Sequence, residues 1–140
     1  MAGCSGFDEE ETVQLGLVTV LVRDYDEAIR FYTEALGFRL AEDTALPGGA
    51  RWVVVRPDGD GPTGLLLALA EGPDQEERVG AQTGQRVFLF VHSQDFAADH
   101  ARMTAAGVRF LEEPRYEAYG TVAVFEDLYG NRFDLIQPAS

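Results

Sequence analysis

The chain repeats itself. An internal repeat limits a fold more than any local propensity, because two copies of a unit that cannot bury its own sheet face must pack together. Leu17-Val18-Thr19-Val20-Leu21-Val22 reads as a strand. Asp24 follows, then Ala28, Phe31, Tyr32, Ala35 and Leu36 at helical spacing, stopped by Gly37, with Asp24 and Glu27 as a capping box. The pattern returns in Val87-Phe88-Leu89-Phe90-Val91, Asp95, then Ala98, Ala101, Ala105 and Ala106 up to Gly107. Gly37-Phe38-Arg39-Leu40 and Gly107-Val108-Arg109-Phe110 match at an offset of seventy residues. Each helix is followed by three more strand-like stretches, at 38–41, 51–56 and 64–70 in the first half and at 108–111, 121–125 and 131–137 in the second. Turns at Pro57-Asp58-Gly59-Asp60-Gly61-Pro62 and Asp127-Leu128-Tyr129-Gly130 separate the last two of each set.

This pattern predicts an α+β fold of two tandem βαβββ modules whose four-stranded sheets pair around a cleft. The expected layout is a flexible acidic tail at 1–12 and one domain at 13–138, made of module 13–72, linker 73–85 and module 86–138. Composition then removes several functions. There are 24 Asp and Glu against 11 basic residues, a net charge of −13, which repels nucleic acid and anionic lipid. All basic residues are arginine, so Schiff-base chemistry and a P-loop lysine are excluded. The longest aliphatic run, Leu65 to Ala70, is too short to span a bilayer. A single cysteine, Cys4 in the tail, allows no internal disulfide or redox pair, and the expected location is the cytoplasm.

Val22-Arg23-Asp24 with Ala28, Phe31-Tyr32 and Leu36-Gly37-Phe38, together with Gly130-Asn131-Arg132-Phe133-Asp134-Leu135, resembles the vicinal oxygen chelate superfamily. That superfamily includes glyoxalase I, bleomycin-resistance proteins, fosfomycin-resistance transferases and extradiol dioxygenases. The resemblance implies a divalent-metal site built from the first and last strand of each module. The corresponding positions here are Leu17, Leu67, Arg86 and Asp134, of which only Asp134 can donate to a metal. The expectation is therefore no cofactor, with Arg86 facing Asp134 where the metal charge would sit, either as a structural ion pair closing one end of the cleft or as a pair whose arginine also grips an oxygen-rich ligand group.

On period two, Thr19, Leu21, Phe88, Phe90 and Ile136 share the face of that pair, giving an apolar pocket with one charged end. Arg51, Trp52, Tyr116 and Tyr119 stand at strand starts and loops where they can frame a cleft mouth. The two histidines, His92 and His100, have a spacing unsuited to a joint metal site, and Ser93 beside His92 cannot form a nucleophile–base pair on an extended segment. The leading reading is a glyoxalase- or bleomycin-resistance-like protein that binds a small organic molecule as a homodimer without catalytic metal. One alternative is a metal-dependent lyase, isomerase or dioxygenase in which His92 or Gln137 joins Asp134. The other is a metal-independent enzyme with Asp134, Glu126 or Asp127 as general base.

Overall fold

The computed structural model describes residues 12–57, 59 and 61–140. Residues 1–11 of the acidic start, Cys4 among them, and Asp58 and Asp60 of the first turn lie outside the described residues. The first half holds β1 (Leu17–Val22), α1 (Tyr25–Arg30), β2 (Arg39–Ala45), β3 (Arg51–Arg56) and β4 (Gly64–Leu69). The helix α2 (Gly72–Arg78) follows. The second half holds β5 (Val87–His92), α3 (Phe96–Ala105), β6 (Arg109–Phe110), β7 (Arg115–Glu117), β8 (Gly120–Glu126) and β9 (Arg132–Pro138). One sheet runs β1-β4-β3-β2, the other β5-β9-β8-β6 with β7 also on β8. The first and last strands of each module are parallel neighbours, β1 with β4 and β5 with β9, because the crossover through the helix returns the chain to the same direction.

Local chemistry sets the helix ends. Asp24 and Asp95 cap α1 and α3, accepting the backbone N–H of Glu27 and Ala98. After Arg30, α1 widens by one turn through Phe31–Ala35, where Leu36 N–H bonds to the Phe31 carbonyl. Gly37, at φ +81°, ends it in the left-handed conformation that a side chain disfavours.

Two departures from the sequence reading have simple causes. The span read as linker contains α2, which starts at Gly72-Pro73, where a proline costs no helical hydrogen bond. The strand paired with β8 is broken into β6 and β7 around Pro114, so this sheet has five strands rather than four. At the break, Leu111 N–H bonds to the Val124 carbonyl, and Glu112 Oε2 accepts the Val124 N–H at 2.9 Å in place of a neighbouring backbone carbonyl.

The helix-bearing faces of both sheets close on one core. Val20, Val22, Val53, Val55, Leu65 and Leu67 from the first module join Phe96, Met103, Phe125, Phe133 and Leu135 from the second. Tyr32 sits wholly buried where they meet, with its ring 5.9 Å from Phe38 and 6.3 Å from Phe133. Its hydroxyl donates to Asp127 Oδ2 at 2.8 Å. Burial first, and the Asp127 charge second, hold that hydroxyl well above the usual tyrosine range.

A second tie runs along the outer edge of β1. Gln82 Oε1 accepts the Leu21 N–H at 2.6 Å, and its Nε2 donates to the Thr19 carbonyl at 3.0 Å, covering backbone groups that an edge strand would otherwise expose. Asn131 Oδ1 accepts the Gln82 N–H at 3.3 Å, joining this edge to the turn before β9. Gly80 makes the approach possible, because a Cβ there would collide with the Tyr129 carbonyl.

Candidate functional site

Alternation along β9 decides which side chains can meet a ligand. Phe133 and Leu135 point into the core, so Asp134 and Ile136 point to the opposite, helix-free face. Register places Asp134 between Phe90 on β5 and Val124 on β8. Asp134 is only 8% exposed, and its Oδ1 has no hydrogen-bond partner. Burial raises its carboxyl above the usual aspartate value, the Arg115 charge opposes that rise, and Glu112 adds to it.

Arg115 does not pair with Asp134, because two other carboxylates hold it. Its Nε donates to Glu112 Oε1 at 2.9 Å and its Nη1 to Glu117 Oε2 at 2.8 Å. These bonds, with one to Tyr119, lift the guanidinium above its already high pKa. Three carboxylates therefore share one cation on this face. Glu112 and Arg115 are functional candidates that periodicity misses; their spacing of three, from the break after β6 to the start of β7, is the only available signal.

Arg86 does not occupy the expected place. It lies before β5, exposed, in a turn where its N–H bonds to the Thr83 carbonyl and its own carbonyl accepts Thr83 Oγ1. Asp134 is level with Phe90, four residues further on, which is about 13 Å along a strand. The paired helix caps explain the error. Leu17 stands seven residues before the cap Asp24, and seven before the cap Asp95 is Phe88.

Leu67 is also displaced from its expected role. It pairs with Val20 on the helix side and is fully buried, whereas Leu66, beside Thr19, takes the open face. Counted from the same landmarks, the positions the resemblance implies shift to Leu17, Leu66, Phe88 and Asp134, and of these Phe88 is turned toward the core. One carboxylate is the whole donor set, which does not fit a divalent ion. Among the described residues, no group of three or more His, Cys, Asp or Glu side chains could hold a metal.

The remaining candidates divide between the two faces. Thr19, Leu21, Leu66 and Trp52 share the open face of the first sheet, with Trp52 at 38% exposed. Arg51 belongs to the other side, where it pairs with Asp26 and Asp43 at 3.0 and 2.8 Å and lies over the Tyr25 ring. Phe88 leaves the open face because β5 shifts register between Val87 and Leu89, and it packs edge-on against Phe133. Phe90 keeps that face, 63% exposed, and Tyr119 stands exposed beside Arg115, whereas Tyr116, level with Thr121, points to the opposite face from Arg115 and Glu117.

Where the modules meet, a cavity of about 640 Å³ is lined by Leu36 and Phe38 from one module and by His92, Ser93 and Arg102 from the other. A neighbouring cavity of about 500 Å³ shares Phe38 and His92 and reaches Phe90. Neither is lined by Asp134, so the cavities at this junction do not contain the expected charged end of a cleft.

The general-base and second-ligand candidates are already engaged. Asp127 Oδ1 accepts the N–H groups of Tyr129, Gly130 and Asn131, and its Oδ2 takes Tyr32 and Asn131 Nδ2, which makes it the brace of a turn. Glu126 pairs with Arg109 at 3.6 Å. Gln137 Oε1 accepts the Phe96 N–H at 2.7 Å, which turns it toward α3 and away from Asp134. His92 ends β5 level with Ile136. His100 sits between Phe96 and Phe110 at 5.5 and 4.2 Å.

The sequence profile of the Glyoxalase/Bleomycin resistance protein/Dioxygenase superfamily matches residues 14–135. An uncharacterized protein of Shewanella frigidimarina is 50% identical over 121 residues, covering 86% of this chain and 90% of that protein. The solved structure of UcmS2 superposes with a TM-score of 0.78 at 32% identity, covering 90% of this chain and 98% of that one. TnmS3, an antibiotic binding protein from Streptomyces sp. CB03234, superposes with a TM-score of 0.73 at 31% identity, covering 91% and 98%. This chain belongs to the Glyoxalase/Bleomycin resistance protein/Dioxygenase superfamily.

Proposed function

We propose that this protein binds a small organic molecule on the helix-free faces of its sheets, as a cytoplasmic homodimer and without a catalytic metal. The observation that carries the reading is Asp134, a buried carboxylate with one oxygen unpartnered, set among Phe90, Val124 and Ile136 and next to the Glu112–Arg115–Glu117 cluster. An apolar surface with a few placed polar groups is the usual make-up of a small-molecule site. The likeness to TnmS3, an antibiotic binding protein, supports binding over catalysis. The single-donor set at the family's metal positions supports a metal-free site. Exposed Trp52, Phe90, Tyr116 and Tyr119 supply apolar surface that a second copy can cover.

Mass spectrometry of compounds released from the purified protein on denaturation, followed by titration of the recovered compound, tests this reading. One compound at near-equimolar yield, bound by wild type and weakened at least tenfold by Asp134→Asn, is the expected result. Recovery of no compound, together with no thermal shift across a broad organic library, would overturn it.

A further inference from the structure

The charges around Asp134 narrow the ligand. A buried carboxylate oxygen without a donor is costly, and a carboxylate accepts hydrogen bonds but cannot give them. Its completing partner must therefore bring an N–H or O–H. The nearby cation, Arg115, is committed to Glu112 and Glu117 at 2.9 and 2.8 Å, so it acts on Asp134 through space but gives it no hydrogen bond. Three carboxylates around one guanidinium leave the patch negative, and the chain as a whole carries −13. The surrounding surface is aromatic and aliphatic: Phe90 is 63% exposed and Tyr119 57%, with Val124 and Ile136 on the same face. Aromatic faces attract cations and stack on planar groups.

From this geometry we infer that the site selects an organic cation, a protonated amine on an aromatic or otherwise apolar body, whose N–H donates to Asp134. The inference rests on the small-molecule reading and specifies it. An anionic ligand is disfavoured twice, by the unpaired carboxylate and by the commitment of Arg115. A neutral alcohol fills the hydrogen bond but gains nothing from the negative patch.

Matched compounds separate the possibilities. The probes are 2-phenylethylamine, 2-(1-naphthyl)ethylamine and tryptamine, each with the corresponding ethanol and propionate, titrated at pH 8 by calorimetry and ligand-observed NMR. On at least one scaffold the amine should bind tenfold or more tighter than its alcohol, and the propionate weakest. Asp134→Asn should bring the amine-to-alcohol ratio near one while leaving the alcohol's affinity within about twofold. Arg115→Gln, which removes the opposing charge, should raise the ratio. It guards the test should Asp134→Asn fold poorly. Alcohols binding as tightly as amines, or a ratio unchanged in both variants, would sink the cation inference and leave small-molecule binding standing. If none of the nine probes binds while a compound recovered from the protein does and carries no basic nitrogen, the inference also falls. If nothing binds and nothing is recovered, the small-molecule reading fails and takes the inference with it.

Discussion

Replacing Asp134 with asparagine should make the protein more stable at neutral pH. A buried polar group left without its hydrogen bond costs about 1–3 kcal/mol, and more when charged. The asparagine side chain would keep the shape and remove the charge while burying an amide that is itself incompletely paired, so the net gain is set at about 1–2 kcal/mol. With an unfolding entropy of about 2.1 cal/mol/K per residue, a chain of 140 residues changes Tm by about 3 °C per kcal/mol. The expected rise is therefore about 3–7 °C.

The pH dependence fixes the sign independently. Burial raises the folded-state pKa of Asp134 above its unfolded value, so the folded protein binds this proton more tightly than the unfolded chain. The stability associated with Asp134 is then fullest below its unfolded pKa of about 3.9 and is lost as pH rises through the folded value. The asparagine variant lacks that loss, and its advantage over wild type should open between about pH 4 and neutrality. Calorimetry of both proteins from pH 4 to 8, at one protein concentration, measures it. A variant less stable than wild type at pH 7, or a gap that does not grow with pH, would mean that the carboxylate has partners and would refute the reasoning.

Tyr32→Phe should cost about 1.5–3 kcal/mol in urea unfolding, because it removes a buried 2.8 Å bond to the Asp127 carboxylate that ties the two modules. Gln82→Ala should cost about 1–2 kcal/mol and speed amide exchange at Leu21 but not at Val20, since only the outer edge of β1 loses its cover. Elemental analysis after dialysis against zinc, nickel, manganese and iron should find no stoichiometric metal; one tightly held ion per chain would contradict the single-donor site. Light scattering should return about twice the 15.3 kDa chain mass, and a monomer mass would remove the dimer from the proposal.

Periodicity reads the fold well where strands are regular and helices well capped. β1 and β3 fall at the residues predicted, and Asp24 and Asp95 cap their helices, because alternation, capping and the glycine stops at 37 and 107 are local signals. The β6–β7 break escapes such a reading because it depends on a side chain, Glu112, substituting for a backbone partner, an exchange that residue type does not encode. The site is less legible for a related reason. Counting by twos survives only while the register is unbroken, and the shift between Val87 and Leu89 sends Phe88 to the core while Phe90 stays outside. Counting from the wrong landmark misplaces Arg86, and Leu67 is off by one residue in a hairpin that offers no landmark at all. Asp134 is legible because Gly130-Asn131-Arg132-Phe133 anchors the count at a turn whose geometry is fixed by Asp127.

The contrast between Asp127 and Asp134 links structure to use. The two carboxylates lie seven residues apart, both buried, at 4% and 8% exposure. The first has both oxygens filled by three backbone N–H groups, a tyrosine hydroxyl and an asparagine amide. The second keeps an oxygen empty although a guanidinium stands near enough to act on its charge, because that guanidinium is held by Glu112 and Glu117. The fold therefore satisfies a buried carboxylate where it braces a turn and leaves one incomplete where a strand faces away from the core. On the proposed function, an incomplete group at such a place trades stability for recognition. If so, one substitution must do two opposite things: Asp134→Asn should raise Tm and lower ligand affinity. A gain in stability with unchanged binding would make the empty oxygen a defect, and a loss of both would make it an ordinary structural contact.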